Sequence, residues 1–443
     1  MLDCVLRTAE SISPETLTVV VGQGAEAVRS HLAGQGSIQF ALQEPQLGTA
    51  HALLQAAPFL TGRTGTLVLL SGDVPLLTAT TLRSLVTVHC GAHAAATVVT
   101  ATVERPFGYG RIVRVDGEMA RIVEERDASP AERHIREINS GIYAFDLGPL
   151  FEALRGIASQ NAQGEYYLTD LVAIYRRRKL LVKSFLVDDP QEVRGINSRT
   201  ELAEVSRVVR QKKNEELMAA GVTLVDPAAT YIDPDVEIGA DTVIHPGVII
   251  EGRTRVGAAC EIHAHVTIVD TEIGDNVTIK SFSFITGSRI DAGASVGPFA
   301  HLRPETVVGE GAKVGNFVEL KKTTLGPHSK ANHLSYLGNA SIGTKVNVGA
   351  GTITCNYDGE HKHETIIEDG AFIGSDSQLI APVRVGKGAY IAAGSSITDD
   401  VPAGALGIAR ARQAVIDGWV ERKKQPSPSK ATTPRKDAGK PVD

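Results

Sequence analysis

Ile238-Gly239-Ala240-Asp241-Thr242-Val243-Ile244-His245-Pro246-Gly247-Val248-Ile249-Ile250-Glu251-Gly252-Arg253-Thr254-Arg255-Val256-Gly257 decides the fold of half the chain, because Ile238, Ile244, Ile250 and Val256 stand six residues apart. The period continues through Ile262 and Ile268. It resumes over Ile290, Val296, Leu302, Val308, Val314 and Leu320, and returns in Ile367, Ile373, Leu379, Val385, Ile391 and Ile397. Gly or another small residue often follows the aliphatic one, as in Ile238-Gly239, Val314-Gly315 and Ile373-Gly374. A period of six matches neither the 3.6 of a helix nor a series of isolated hairpins. It matches a left-handed parallel β-helix, in which each hexapeptide forms one short flat face and three faces complete a coil. The aliphatic side chain then fills a narrow prism, and the small residue permits the tight corner after it.

Working outward from that repeat, the β-helix is expected over residues 222–422. Residues 198–221 read as a helical linker, with Leu202, Val205, Val208, Val209 and Leu217 at helical spacing and Gly221 as its stop. Residues 1–197 alternate apolar runs with helical stretches, as an α/β domain of Rossmann-like type does. Leu17–Val21, Thr66–Leu70 and Ala94–Thr100 are its strand candidates, and a helix runs from Gly48 to near Pro58. Residues 423–443, rich in Pro, Ser, Lys and Thr, read as a disordered tail. Trp419 is expected to pack a C-terminal helix onto the prism.

Composition narrows the function. Of 443 residues, 42% are hydrophobic and 22% charged, which suits a folded globular chain, and 44 glycines fit many tight turns. The net charge of −6 argues against a partner held by phosphate neutralisation along nucleic acid. No apolar run reaches the ~18 residues of a membrane span, and no secretory signal is visible, so the expected compartment is the cytoplasm. Cys4, Cys90, Cys260 and Cys355 are scattered, which disfavours a disulfide framework or a structural zinc site.

Several stretches carry chemistry. Gly22-Gln23-Gly24-Ala25-Glu26-Ala27 has the form of a dinucleotide fingerprint, yet a plain strand-to-helix turn uses the same residues, and that reading is preferred. In Gln43-Glu44-Pro45-Gln46-Leu47-Gly48-Thr49, a Gln amide can read a base edge beside a close backbone approach. Ser71-Gly72-Asp73-Val74-Pro75 puts a carboxylate directly after a buried strand, where open α/β sheets bind ligands and where Mg²⁺ takes one or two carboxylates with phosphate oxygens. Asn332-His333-Leu334 interrupts the hexapeptide phase with the side chain best suited to proton transfer near neutrality. Arg303 and Lys321 break an uncharged repeat surface, as a sugar phosphate requires. Gly349 to Gly359 begins a loop that leaves the prism, a favoured place for function. His263-Ala264-His265 and His361-Lys362-His363 lack further ligands at suitable spacing and read as non-metal histidines.

The ordered strings Gln46-Leu47-Gly48-Thr49, Gly72-Asp73-Val74-Pro75, Tyr109-Gly110-Arg111-Ile112, Ile122-Val123-Glu124-Glu125, Glu137-Ile138-Asn139-Ser140-Gly141 and Gln163-Gly164-Glu165-Tyr166-Tyr167-Leu168-Thr169-Asp170, followed by the hexapeptide repeat, resemble the bacterial bifunctional UDP-N-acetylglucosamine pyrophosphorylase / glucosamine-1-phosphate N-acetyltransferases over residues 1 to about 420. The resemblance implies acetyl transfer from acetyl-CoA to glucosamine 1-phosphate, then uridylyl transfer from UTP to N-acetylglucosamine 1-phosphate. In the first domain it implies that Gln43, Gly48 and Thr49 contact uracil, with Ser71 and Gly72 also lining the substrate site. Asp73 and Asn197 would hold Mg²⁺, and Gly110, Glu124 and Asn139 would line the sugar pocket. In the second it implies His333 as general base, oriented by Glu319. Arg303, Lys321 and Tyr336 would hold the phosphate, and Asn347 and Asn356 the sugar and its amine. Ala350, Ser375, Ala393 and Arg410 would contact acetyl-CoA, with Asn356 and Tyr357 near the acetyl group. A homotrimer is expected, because related acyltransferases bind substrates between neighbouring prisms.

One departure stands out. The family pattern LAAGxGTRM, followed by a Pro-Lys pair, is absent, and Met1–Leu6 aligns with the helix that normally follows that loop. A truncated gene model and an eroded domain both account for this; the intact downstream motifs favour truncation. On that basis little or no uridylyl transfer is expected from residues 1–443, and an unpaired sheet edge is expected in the α/β domain. Two other readings remain at this level: a single nucleotidyltransferase with a β-helix used only for assembly, and a non-catalytic relative that binds ligands without turnover.

Overall fold

The computed structural model describes residues 1–34, 36 and 38–424. The chain forms two compact units, Met1–Val209 and a second beginning at Arg210. The expected disordered tail lies outside the described residues from Gln425 onward.

The first unit opens with helix α1 (Leu2–Glu10), which buries Val5, Leu6 and Ala9. The parallel strands β1 (Leu17–Val21) and β2 (Ile38–Leu42) form a sheet of their own, with α2 (Ala25–His31) between them in sequence. The helix starting at Gly48 is interrupted, giving α3 (Thr49–Gln55) and α4 (Ala57–Leu60). Pro58 stands in the first turn of the second helix, where, without an N–H, it is tolerated because the donor would be unpaired anyway.

The larger sheet contains β3 (Thr66–Leu69), β4 (Ala96–Thr102), β5 (Arg111–Val115), β6 (Glu118–Val123), β7 (Glu137–Asp146) and β8 (Val182–Leu186). It runs in the order β6-β5-β7-β4-β8, and β3 pairs with the C-terminal half of β7. Val98 and Val99 are both fully buried because neighbouring strand residues face opposite sides. Val98 joins the apolar layer under α6 (Leu147–Leu154) and α7 (Asp170–Arg177), and Val99 the layer containing Leu82 and Leu85 of α5 (Ala79–Ala92). Among the described residues, strands β1 and β3 each have one strand partner, so each presents an unpaired edge.

Helix α8 (Arg199–Ala219) starts with a capping box. The Glu201 carboxylate accepts from the backbone N–H groups of Asn197 and Ser198, while the Ser198 hydroxyl accepts from the Glu201 N–H.

The second unit is the β-helix. One column of paired positions runs Ile244, Ile262, Ile279, Val296, Val314, Ala331, Val348, Ile373 and Ile391. All of these side chains are buried in one continuous core. Buried Ser and Thr hydroxyls satisfy carbonyls at the corners, as Thr323 does for Leu337 (2.9 Å) and Ser329 for Gly343 (2.6 Å). The glycines after the aliphatic residues serve mainly the adjacent coil. A Cβ at Gly315 would lie 1.8 Å from the Asn332 carbonyl oxygen, so the close approach of coils selects glycine there. Helix α9 (Trp419–Lys424) does form, but Trp419 is 51% exposed, with the Lys423 ammonium 4.9 Å over its ring. The expected packing of this tryptophan onto the prism is therefore corrected: a cation covers it instead.

Candidate active sites

In the first unit, the residues expected at a nucleotide site fall into three local groups. Gln43 follows β2, and its Nε2 donates to the Gly48 carbonyl (3.0 Å) and faces His51 Nδ1 (3.1 Å). Gly48 has φ +108°, and a Cβ there would lie 2.7 Å from the Tyr166 carbonyl oxygen. Only glycine fits this crossing. Around it the two motif strings are laced together: Tyr166 N–H donates to Leu47 O, Ala50 N–H to Tyr166 O, and Leu168 N–H to the Thr49 hydroxyl (3.1 Å). Thr49 therefore pins the 163–170 segment in place. Gly22 has a similar use: a Cβ would meet the Gln46 amide at 2.0 Å, which explains its glycine without a dinucleotide.

Asp73 and Asn197 both face Gly195, whose absent Cβ would lie 3.3 Å from Asp73 Oδ2 and 4.0 Å from Asn197 Nδ2. The Ile196 N–H donates to the Asp73 carbonyl (3.1 Å), which holds the two loops together. One carboxylate and one amide on an open strand edge are hard oxygen donors that leave room for phosphate oxygens and water, so they fit a divalent cation. Ser71 donates to the Gly141 carbonyl (3.3 Å), and Gly72 lies next to Leu2.

Gly110, Glu124 and Asn139 meet as a third group. The Asn139 N–H donates to Gly110 O (2.9 Å), and a Cβ on Gly110 would lie 3.4 Å from Glu124 Oε2. Burial holds the Glu124 carboxyl above the usual carboxylate range, opposed in part by the hydrogen bond from Thr169 (3.0 Å). Sequence reasoning did not single out Thr169, although it lies in a quoted string.

In the second unit, His333 is exposed at a corner, and its Nδ1 lies 2.8 Å from Asn316 Oδ1. An amide oxygen only accepts, so Nδ1 is the donor here, and the neutral ring has its lone pair on Nε2. Glu319 was expected to orient this base; it pairs instead with Arg303 (3.0 Å), since strand register puts it on another face. Asn316 was missed because nothing in its local sequence marks it. Its only signal is that it occupies the His333 position one coil earlier.

Lys321 and Tyr336 lie on strands of the other sheet, and Arg303 and Asn356 directly follow strands of it. A Cβ on Gly338, the partner of Lys321 in register, would lie 2.5 Å from the Tyr336 hydroxyl. Lys362, from the loop that leaves the prism, stands beside Lys321 and, with Arg303, holds the Lys321 ammonium below its ordinary pKa. This like-charge cluster has the chemistry of an anion site, and Lys362 was not read from sequence. Asn356 is buried and donates to Asn339 Oδ1 (2.7 Å). Tyr357 is exposed in the same loop, its hydroxyl on the Gly359 carbonyl (2.5 Å). Asn347 pairs with Lys330 and Phe372 in the His333 sheet.

Of the acetyl-CoA candidates, Ala350, Ser375 and Ala393 share one structural position, whereas Asn356 and Tyr357 follow strand 353–355 of the other sheet. Register places Asn316, His333, Ala350, Ser375 and Ala393 each two residues after a buried aliphatic or Ala of the same column. Backbone bonds bind this corner: Gly351 N–H to Leu334 O, Asp376 N–H to Ala350 O, and Gly394 N–H to Ser375 O. Arg410 closes the series with Nη1 on the Ala393 carbonyl (2.6 Å). The result is a corridor of small side chains leading from an imidazole to a guanidinium.

Comparison with known proteins agrees with both halves. A nucleotidyl transferase model matches residues 1–190, a bacterial transferase hexapeptide model residues 364–399, and a GMPPB C-terminal domain model residues 226–333. The bifunctional protein GlmU of Pelobacter propionicus is 49% identical over 426 residues, covering 96% of this chain and 93% of its own. Those of Brevibacillus brevis and Syntrophotalea carbinolica are 51% and 52% identical, covering 93% and 90% of this chain and 89% and 86% of theirs. No helix among the described residues is long and apolar enough to cross a membrane. The chain belongs to the bifunctional GlmU family of glucosamine-1-phosphate N-acetyltransferases and N-acetylglucosamine-1-phosphate uridylyltransferases.

Proposed function

We propose that acetyl transfer is carried out at the His333 corner, with the family's second activity at the Asp73 strand edge. The shared register of His333, Ala350, Ser375 and Ala393 carries this reading. An extended thioester arm laid along the corridor of small residues brings its acyl end to the imidazole, and Arg410 at the far end suits the phosphates of acetyl-CoA. Arg303, Lys321 and Lys362 receive the phosphate of glucosamine 1-phosphate, and Tyr336, Asn347 and Asn356 its sugar. His333 Nε2 takes a proton from the amine as nitrogen bonds to the acyl carbon. The carbon–sulfur bond then breaks, and the imidazolium returns the proton to the leaving thiolate. No covalent enzyme intermediate is needed.

At the other site, the Gln43 Oε1 accepts from a uracil N–H, since its Nε2 is already committed to Gly48 and His51. Gly110, Glu124 and Asn139 hold the sugar. Asp73 and Asn197 hold Mg²⁺, which when bound neutralises charge on the phosphates. In this reading the protein is cytoplasmic and a homotrimer, with neighbouring prisms completing each acetyl site.

The test uses one purified sample and two assays: free thiol released from acetyl-CoA with glucosamine 1-phosphate, and pyrophosphate released from UTP with N-acetylglucosamine 1-phosphate and Mg²⁺. His333→Ala is expected to lower the first by about 10²- to 10⁴-fold and leave the second unchanged. Thiol release near wild type in that variant would remove the base from His333.

A further inference from the structure

His245 and His263, a full coil apart in sequence, are neighbours in space. The register pairs Ile244 with Ile262, so the residue after each falls on the same side of adjacent strands. The two imidazoles stack with centroids 4.9 Å apart and planes at 10°. Glu261, on the same strand as Ile262, reaches both: its Oε1 is 3.4 Å from His245 Nε2 and 3.6 Å from His263 Nε2. The three donor atoms all lie within 4.8 Å of one another.

We propose that His245, Glu261 and His263 form a binding site for one zinc-class divalent cation, which ties together adjacent early coils of the β-helix. Two imidazole nitrogens and one carboxylate oxygen are the donor set of three-ligand zinc sites, with water in the fourth position. For metal–ligand bonds of about 2.0–2.1 Å, neighbouring donors of a tetrahedron stand roughly 3.3–3.4 Å apart. The observed 3.4 and 3.6 Å are close to that spacing, but a metal lies in the plane of each imidazole that binds it, so both rings must turn out of their stack to converge on one ion. As a hydrogen-bonded cluster the group is poor: both Nε2 atoms address one oxygen, and the longer separation exceeds a good hydrogen bond. The backbone that carries the two imidazoles is fixed, because the His245 N–H donates to Ile262 O (2.9 Å) and the His263 N–H to Ile279 O (2.8 Å). Side-chain exposures of 30%, 50% and 33% for His245, Glu261 and His263 leave an open side for the ion to enter. Lys280 occupies the next rung, but it is exposed on a flexible stem, and its ammonium can extend into water. The nitrogen donors select borderline ions such as Zn²⁺ or Co²⁺ over Mg²⁺ or Ca²⁺, which separates this site from the Asp73 edge.

A bound ion would add a link between two coils already joined by backbone pairing, the prism core and corner hydrogen bonds such as that from the Cys260 N–H to the Thr242 hydroxyl (3.1 Å). Solenoid ends have a neighbour on one side only and open most readily, so a clip near the start of the repeat acts where stability is least.

The experiment uses the full chain, freed of metal with a chelator and held in excess Mg²⁺. Zn²⁺ is titrated by calorimetry, and Co²⁺ by its visible absorption. The expected result is one Zn²⁺ per chain at micromolar affinity or tighter, tetrahedral Co²⁺ bands, and slower hydrogen exchange in strand 243–245 when Zn²⁺ is present. His245→Asn and His263→Asn should each weaken binding at least about tenfold, and the double variant should lose both the Co²⁺ bands and the exchange protection. His265→Asn, whose ring stacks instead on Phe282 at 5.2 Å, should bind as wild type. Acetyl transfer in every variant reports that the prism is folded. Failure of the wild type to take up Zn²⁺, binding retained in the double variant, or uptake without exchange protection would each overturn the proposal.

Discussion

Asn316 Oδ1 faces His333 Nδ1 at 2.8 Å across one rung of the β-helix. In the proposed acetyl transfer this contact orients the imidazole, and Asn316 serves as a positioning residue. Asn316→Ala is expected to lower kcat for acetyl transfer by roughly 10- to 100-fold, less than loss of the base itself. Asn316→Asp places an anion against Nδ1 and favours the imidazolium, so the acid limb of the kcat/KM profile should move to higher pH. An unmoved profile in Asn316→Asp would show that the contact does not govern the base.

Lys362 gives a second expectation. Since it crowds Lys321, a dianionic phosphate relieves repulsion that the free site bears. Lys362→Ala should raise KM for glucosamine 1-phosphate by roughly tenfold while kcat changes little, the pattern of lost uniform binding. The KM of the wild type should rise with added salt more steeply than that of the variant. Equal KM values would exclude Lys362 from the phosphate site.

Much of this arrangement is legible in the sequence, and what is hidden is hidden for a reason. The hexapeptide aliphatics are legible because each coil repeats the same inward position; Ile250, Ile268, Leu302, Leu320, Ile373 and Leu379 are all fully buried. His333 stands out because it breaks that rhythm. Asn316, Lys362 and the His245–Glu261–His263 group are not visible locally. Their partners come from the next coil or from a loop whose path the repeat does not set. Likewise His263 and His265 look equivalent in sequence, yet one side chain meets Glu261 and the other stacks on Phe282.

Glu124 carries a pH dependence whose sign follows from burial. Its carboxyl is raised above the ordinary value, chiefly by desolvation. The folded chain therefore keeps the proton over a window in which the unfolded chain has released it. Stability falls as pH rises through that window, and the penalty is complete above the folded pKa. Glu124→Gln, which can still accept from Thr169, should raise the urea midpoint of the first unit at neutral pH but not in acid. A gain of the same size at acidic and neutral pH would contradict this account.

Gly48→Ala tests the crossing of the two motif segments. A methyl group 2.7 Å from the Tyr166 carbonyl oxygen, on a residue at φ +108°, adds a clash to backbone strain. The expected loss is about 1–3 kcal/mol in the first unit, or more if the 163–170 segment detaches. Pyrophosphate release should fall and thiol release should persist. Wild-type stability in this variant would mean that the crossing relaxes without cost.

The corner that carries His333, Ala350, Ser375 and Ala393 has one more consequence. Each step along it is one strand spacing, about 4.8 Å, and is set by the backbone. The corner is in effect a graduated scale. Inserting one complete coil between Ser375 and Ala393 would move Arg410 one graduation further from His333 and leave each chemical group intact. On the proposed reading, the length of acyl carrier that fits is thus counted in coils, and it can change only by whole numbers of them.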